Sequence, residues 1–147
     1  MRYFWDTNIF LAFIRESDFY FQLDNKYDFF SEENESGLSV VSVGELLSLS
    51  LKRKWGSRKI EKMESLFDSL ELFEIFNEET LDSYAQIDAY SQSKHLTLSL
   101  PLGMTARNMG KNDIWIAATA HAIGADLVTT DKDFDHLDGI FLNVISG

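Results

Sequence analysis

The chain alternates short apolar runs with longer segments in which apolar residues recur every three or four positions. Short runs rich in β-branched and aromatic residues are typical of buried strands, whereas the longer period is typical of helices. The pattern predicts five strands, at RYFW (2–5), LSVV (38–41), LFEIF (72–76), DLVTT (126–130) and FLNVI (141–145). It predicts helices over 8–16, 18–31, 43–54, 57–70, 79–94 and 112–123. This alternation favours an α/β fold with a parallel sheet covered by helices.

Two of the predicted helices begin with recognisable polar signals. Ser42 and Glu45 have the spacing of a capping box, in which a hydroxyl and a carboxylate three residues later satisfy the first free amides of a helix. Asn112 is predicted to cap the helix over 112–123, and Gly124 to end it. Each helix therefore carries a carboxylate near its start, Glu45 in one and Asp113 in the other.

Composition limits the size and class of the protein. With 147 residues, 45% of them hydrophobic, the chain can bury one sizeable core, and we expect a single domain over residues 1–147. The absence of cysteine excludes disulfides, thiolate zinc sites and a cysteine nucleophile. Because the sequence shows neither a signal segment nor a run of 18 apolar residues, we expect a cytoplasmic protein with no membrane partner.

The net charge of −11 is unusual for a protein that binds nucleic acid, since such proteins normally carry a basic surface. Five of the thirteen basic residues nevertheless fall within KRKWGSRK, around Trp55. This basic cluster comprises Lys52, Arg53, Lys54, Arg58 and Lys59. One interpretation is an ordinary solvated helix end, and the other is a patch that contacts RNA phosphates.

Four carboxylates stand where predicted strands and helices meet. Asp6 ends the first strand, Glu45 follows the second by one turn, and Asp131 follows DLVTT, while Asp113 starts a helix after a long connection. Because ligands of open parallel sheets bind outside the carboxyl ends of the strands, we expect these groups to converge there. Four convergent carboxylates repel one another unless a cation joins them, and Mg²⁺ or Mn²⁺ suits oxygen ligands. Taken singly, each residue is also an ordinary cap or turn residue.

Together these motifs resemble a PIN domain, and within that group the VapC-type toxins of bacterial toxin-antitoxin pairs. The resemblance rests on DTN after the first strand, VVSVGEL around Glu45 and GKNDIWIAATAHAIGADLVTTDKDF around Asp113 and Asp131, in this order and spacing over nearly the whole chain. It implies a Rossmann-like α/β/α sandwich with a central, mainly parallel sheet. It also implies a ribonuclease that depends on Mg²⁺ or Mn²⁺, a homodimer, and inhibition by a cognate VapB-like antitoxin.

The resemblance also implies roles for individual residues. The acidic quartet that would bind metal and catalyse cleavage consists of Asp6, Glu45, Asp113 and Asp131. Asn8 and Thr130 match accompanying polar positions, and Asp133 adds a further carboxylate. Hydrolysis of a phosphodiester needs an activated water, a counter-charge and a stabilised leaving oxygen, and bound metal ions can supply all three.

Two other functions stay open at this point. The first is a phosphatase with Asp6 as nucleophile, although haloacid-dehalogenase-like enzymes have a second aspartate two residues later, where this chain has Asn8. The second is a catalytically silent PIN-fold module that binds RNA or protein. We expect an antitoxin to dock on the aromatic stretch over 10–23 or on the helix over 57–70. The three histidines, His95, His121 and His136, have no metal-ligand spacing, and we expect them at the surface or partly buried.

Overall fold

A computed structural model describes residues 1–146 and contains a five-stranded parallel sheet. The strands are β1 (Arg2–Trp5), β2 (Glu35–Ser39), β3 (Glu71–Phe73), β4 (Asp126–Thr129) and β5 (Val144–Ser146). Their order across the sheet is β3-β2-β1-β4-β5, and every neighbouring pair is parallel. The strand order therefore changes direction between β1 and β4, and such a switch point is where open α/β sheets bind ligands.

Six helices connect the strands and cover the sheet. They are α1 (Thr7–Ile14), α2 (Asp18–Tyr27), α3 (Val40–Lys52), α4 (Ser57–Ser69), α5 (Glu78–Ser91) and α6 (Lys111–Ala122). A short 3₁₀ helix, Lys132–Leu137, follows β4. None of the helices in residues 1–146 is long and apolar enough to cross a membrane.

Successive side chains along the central strands point to opposite faces of the sheet, so the core has two parts, one on each face. Trp5 packs in a cluster that includes residues of α1 to α4, whereas Phe4 packs in a second cluster with residues of α5 and α6. Along β4, Val128 packs in the first cluster and Leu127 in the second. Helices therefore cover both faces, and the predicted α/β/α sandwich with a parallel sheet is confirmed.

Several predicted boundaries were wrong by a few residues. β2 ends at Ser39, whose hydroxyl caps α3 by accepting a 3.0 Å hydrogen bond from the Val41 amide. The two valines of LSVV are therefore helical, and Ser42 lies buried inside α3 and not at its cap. α6 begins after Gly110 without a side-chain cap, so Asn112 is its second residue. Gly124 ends α6 as predicted, with a left-handed φ of 67°.

Two other predictions also needed correction. The predicted helix over 18–31 stops at Tyr27 because Asp28 adopts a left-handed conformation with φ 52°. His136 is fully buried, not at the surface, and its Nε2 lies 2.7 Å from the Ser91 hydroxyl. Burial, with Arg107 nearby, lowers the pKa of His136 to about 4, so this histidine is a neutral member of the core at neutral pH.

Candidate active site

The predicted carboxylates lie at the carboxyl edge of the sheet, around the switch point between β1 and β4. Asp6 directly follows β1, and Asp131 is the second residue after β4. Helix α3 contributes Glu45, and the first turn of α6 contributes Asp113. The four positions therefore come from four separate elements, and chain topology brings them to one edge.

Asp6 is buried and firmly oriented. Its backbone amide donates to the Val128 carbonyl at 2.9 Å, which extends the β1–β4 pairing by one residue. Oδ1 accepts a 2.7 Å hydrogen bond from the Thr7 amide, and Oδ2 accepts a 2.7 Å hydrogen bond from the Thr129 hydroxyl. Burial raises the pKa of Asp6, the two hydrogen bonds oppose that rise, and the neighbouring carboxylates of Asp131 and Glu45 add to it.

The threonine that supports the site is Thr129, not Thr130 as the sequence analysis expected. Thr129 is fully buried and, besides donating to Asp6, accepts a 2.9 Å hydrogen bond from the Asp131 amide. Thr130 is exposed. Successive strand residues face opposite sides, so an error of one position moves the hydroxyl away from Asp6.

Three carboxylates form the tightest part of the site. Asp113, Asp131 and Asp133 each offer an oxygen, and these oxygens all lie within 4.8 Å of one another. Asp131 Oδ1 also accepts a 2.9 Å hydrogen bond from the Asp133 amide, which fixes the turn that places both side chains. Asp133, which was predicted only as a supporting carboxylate, is a member of this acidic trio.

The ionised form of Asp113 is disfavoured at the point where these carboxylates converge. Its side chain is half-buried, and burial raises its pKa to about 6, with further contributions from the surrounding carboxylates. Those carboxylates belong to Asp6, Asp131, Glu45 and Asp133. All five groups therefore share one electrostatic environment, including the two that lie outside the acidic trio.

Glu45 is exposed and is connected to the site through Thr7. The Thr7 hydroxyl lies 3.1 Å from Glu45 Oε1 and 2.8 Å from the buried Ser42 hydroxyl. An ionised carboxylate can only accept, and a hydroxyl has one hydrogen, so Thr7 donates to Glu45 and Ser42 donates to Thr7. Sequence reasoning missed Thr7 and Ser42 in this role, although Thr7 is part of the DTN motif.

The residues present fit a hard divalent cation. The trio supplies oxygen ligands alone, and the pKa of Asp113 is raised by burial and further by neighbouring carboxylates, whose repulsion a cation would relieve. Each oxygen of Asp6 accepts one hydrogen bond and so keeps a lone pair for a cation. Asn8 also fits, because its Oδ1 is buried and accepts no hydrogen bond from any other residue in 1–146.

The residues of the basic cluster line different parts of the surface. Lys52 lies at one end of a groove of about 700 Å³ that Glu45, Thr7 and Asn112 also line. Lys59 instead stacks on Trp55, with Nζ 4.4 Å from the ring centroid. Arg58 and Lys59 line a different cavity, formed with residues of α1 and α4. Arg53 and Lys54 are exposed and line neither cavity.

Comparison with known proteins gives a consistent assignment. The model of the PIN domain family matches residues 3–140. No protein among those with curated functions matches the chain by sequence. Among solved structures, the chain is similar to VapBC2 from Rickettsia felis bound to a promoter DNA fragment (TM-score 0.75, 22% identity, 100% of this chain and 99% of that chain). It is also similar to VapBC-1 from nontypeable Haemophilus influenzae (TM-score 0.77, 20% identity, 99% of this chain and 98% of that chain). A third similar structure is FitAcB from Neisseria gonorrhoeae (TM-score 0.70, 21% identity, 98% of this chain and 96% of that chain).

Proposed function

The chain belongs to the PIN domain family, and from that membership we propose that it is a metal-dependent endoribonuclease, the VapC-type toxin of a toxin-antitoxin pair. The observation that carries the proposal is the acidic trio, with Asp6 and Glu45 in the same electrostatic environment. The proposed substrate is RNA, the proposed cofactor is Mg²⁺ or Mn²⁺, and the proposed location is the cytoplasm.

The proposed partners follow from the same similarity. The structures that the chain resembles over nearly its full length include VapBC complexes, which supports a VapB-like antitoxin as partner. We propose that the antitoxin docks near α4 and the aromatic stretch over 10–23, and that the chain forms a homodimer. A cavity between α1 and α4, lined by Phe13, Lys62 and Leu66, offers an apolar surface there.

In this mechanism the trio of Asp113, Asp131 and Asp133 would hold the cation, with Asp6 and Glu45 completing the site. When bound, a divalent cation lowers the pKa of water and stabilises the negative charge that develops on the phosphate oxygens. Asp6 contributes a carboxylate whose position is fixed by the Thr7 amide and the Thr129 hydroxyl.

Glu45 contributes the only exposed carboxylate of the acidic quartet, because Asp6 is buried and Asp113 and Asp131 are partly buried. It is held by the Thr7 hydroxyl, and its exposure suits it to orient an incoming water or a substrate hydroxyl. The phosphatase alternative is less well supported, since this chain has Asn8 where such enzymes have a second aspartate.

The test is cleavage of total cellular RNA by the purified protein with Mg²⁺, with Mn²⁺ and with EDTA. Asp6→Asn should abolish cleavage while the protein stays folded, because the amide removes one negative charge from the site. Asp135→Asn is the matched control, since it removes the same charge from an exposed position on the 3₁₀ helix. Cleavage that survives EDTA, or full activity in Asp6→Asn, would contradict the proposal. Metal-independent RNA binding without cleavage would favour the silent module.

A further inference from the structure

A groove runs along one face of α3, and Glu45 of the carboxylate site is among its lining residues. It extends from Val40 to Lys52, with Leu11 of α1 and Asn112 of α6 also among its lining residues. Its volume of about 700 Å³ lies within the usual range of small-ligand pockets, about 300 to 1,000 Å³. The groove contains Glu45 and Thr7, so a molecule bound in it also reaches the site.

Gly44 lies in this groove, and nothing within the fold requires a glycine there. Its φ is not positive, and a Cβ added at this position would meet no atom within 4 Å. A glycine inside a helix is unfavourable compared with alanine, yet α3 carries one immediately before Glu45. Without a side chain at this position, another molecule can approach the backbone of α3 closely.

The chemistry of the groove changes along its length. Two charged residues of α3 line it: Glu45, beside the proposed cation site, and Lys52, about 10 Å further along the helix axis by the standard rise. Between these two positions α3 contributes the Ser48 hydroxyl and the apolar side chain of Leu49, and Leu11 of α1 adds a second apolar side chain to the lining. A single nucleic-acid strand has the complementary order of a phosphate, an apolar base face and another phosphate.

We propose that this groove holds the nucleoside next to the cleaved phosphate, an inference that rests on the proposed ribonuclease function. Gly44 lets the base or ribose lie against the backbone of α3, and Lys52 binds the following phosphate. The occupant is unpaired RNA, because a base can enter the groove only when it is unstacked from its neighbours.

The main test compares Gly44→Ala and Gly44→Leu with the unaltered protein. A Cβ at this exposed position meets no atom of the fold, and both residues favour helix over glycine, so the Tm should stay the same or rise. For a fluorescent single-stranded RNA oligomer, KM should rise tenfold or more in Gly44→Leu and less in Gly44→Ala, while Mn²⁺ affinity stays unchanged. Ala85→Leu is the matched control, since it adds bulk at an exposed position of α5 outside the groove and should leave KM unchanged.

Two further measurements locate the RNA without depending on cleavage. An oligomer that carries 4-thiouridine should cross-link to residues between 40 and 52, as mapped by mass spectrometry. Lys52→Gln should reduce the slope of log affinity against log salt by about 0.7, the value for one phosphate contact with a single strand. Leu51→Gln is its control, because Leu51 is exposed on the same helix and does not line the groove.

The outcomes separate this inference from the proposed function. An unchanged KM in Gly44→Leu, with RNA cleaved normally, overturns the groove and leaves the ribonuclease intact. If no RNA is cleaved by any form, the ribonuclease proposal fails, and cross-links on α3 then support a nucleotide groove while their absence overturns it. If Gly44→Leu loses only the binding of a cognate antitoxin, the occupant is a protein and the inference is wrong.

Discussion

The hydroxyl oxygen of Thr129 forms hydrogen bonds with two residues of the candidate site, one that follows β1 and one that follows β4. It donates to Asp6 and accepts from the Asp131 amide, so the carboxylate after β1 and the turn after β4 depend on the same side chain. Its effect on Asp6 is also electrostatic, because a hydrogen bond to the ionised carboxylate lowers its pKa. Thr129 is therefore a positioning residue, and it acts through the groups it holds.

Replacing Thr129 with valine tests this role with little change in volume. We expect the free energy of unfolding to fall by about 1 to 3 kcal/mol, since a buried carboxylate oxygen and an amide lose a partner. Affinity for Mn²⁺ should fall by about 10- to 100-fold, as is usual when the partners of metal ligands are removed. Thr130→Val makes the same change at an exposed neighbour and should alter neither quantity. Equal effects of both variants in calorimetry would contradict the role.

Asp113 makes the metal-free protein sensitive to pH. Its pKa is about 6 in the folded chain and 3.8 as the ordinary value, so above pH 6 the folded protein bears the full cost of ionising a crowded carboxyl. Stability from this group is therefore lost as the pH rises from about 4 to about 6. Because the side chain is half exposed, we expect a loss of about 1 kcal/mol rather than the full value of the shift.

In EDTA, Asp113→Asn should therefore be more stable than the unaltered protein at pH 7 and equally stable near pH 4. Chemical denaturation at several pH values measures the difference. The contribution of His136 to the free energy of unfolding is lost in the opposite direction, as the pH falls from 6.5 towards its pKa of about 4. This contribution is the same in both proteins, so it cancels in the comparison. A constant difference across the range would show that Asp113 has an ordinary pKa.

At the scale of elements, helix α3 places both Glu45 and the groove, and its start depends on Ser39. Ser39 is buried and accepts from the Val41 amide, whereas Ser42 is buried one turn later and contacts Thr7. Ser39 is the cap that precedes α3 and Ser42 lies within the helix, and the two serines have different functions. One fixes where the helix begins, and the other holds the threonine that orients Glu45.

Substituting each serine with alanine should separate these functions. Ser39→Ala should lower the free energy of unfolding by about 1 kcal/mol, the usual cost of a lost cap, with a modest effect on RNA cleavage. Ser42→Ala keeps the cap and removes the donor to Thr7, so cleavage should fall more than stability. Cleavage rates and thermal unfolding of the two variants give the comparison. A larger loss of cleavage in Ser39→Ala would reverse this assignment.

The same element shows what the sequence could and could not predict. The alternation of apolar runs was sufficient for the α/β class and for the edge at which the carboxylates lie, because these follow from periodicity and parallel topology. The start of α3 was misplaced because Val40 and Val41 favour strands, while the Ser39 cap placed them in a helix. Thr129 and Thr130 are adjacent identical residues, so only the pairing of β4 with β1 decides which one faces Asp6.

At the scale of the whole molecule, the net charge is −11, and five of the carboxylates lie in one electrostatic environment at the candidate site. A divalent cation should therefore stabilise the folded protein, because it relieves repulsion that the unfolded chain does not have. By mass action, a free concentration of 100 times Kd adds about 2.7 kcal/mol to the free energy of unfolding. We therefore expect the stability of the molecule to depend on the ion that its proposed activity requires.

We expect Mn²⁺ to raise the Tm clearly at pH 7.5 and much less at pH 5, where Asp113 is mostly protonated and must lose a proton before it can bind. Thermal unfolding with Mn²⁺ and with EDTA at both pH values measures this. Asp113→Asn should show little Mn²⁺-dependent shift at either pH, whereas Asp135→Asn should behave like the unaltered protein, since Asp135 lies outside the acidic trio. A shift that persists at pH 5, or that Asp113→Asn retains, would place the cation elsewhere on the acidic surface. A shift that disappears with Asp113 would tie the stability of the whole chain to the site at the switch point.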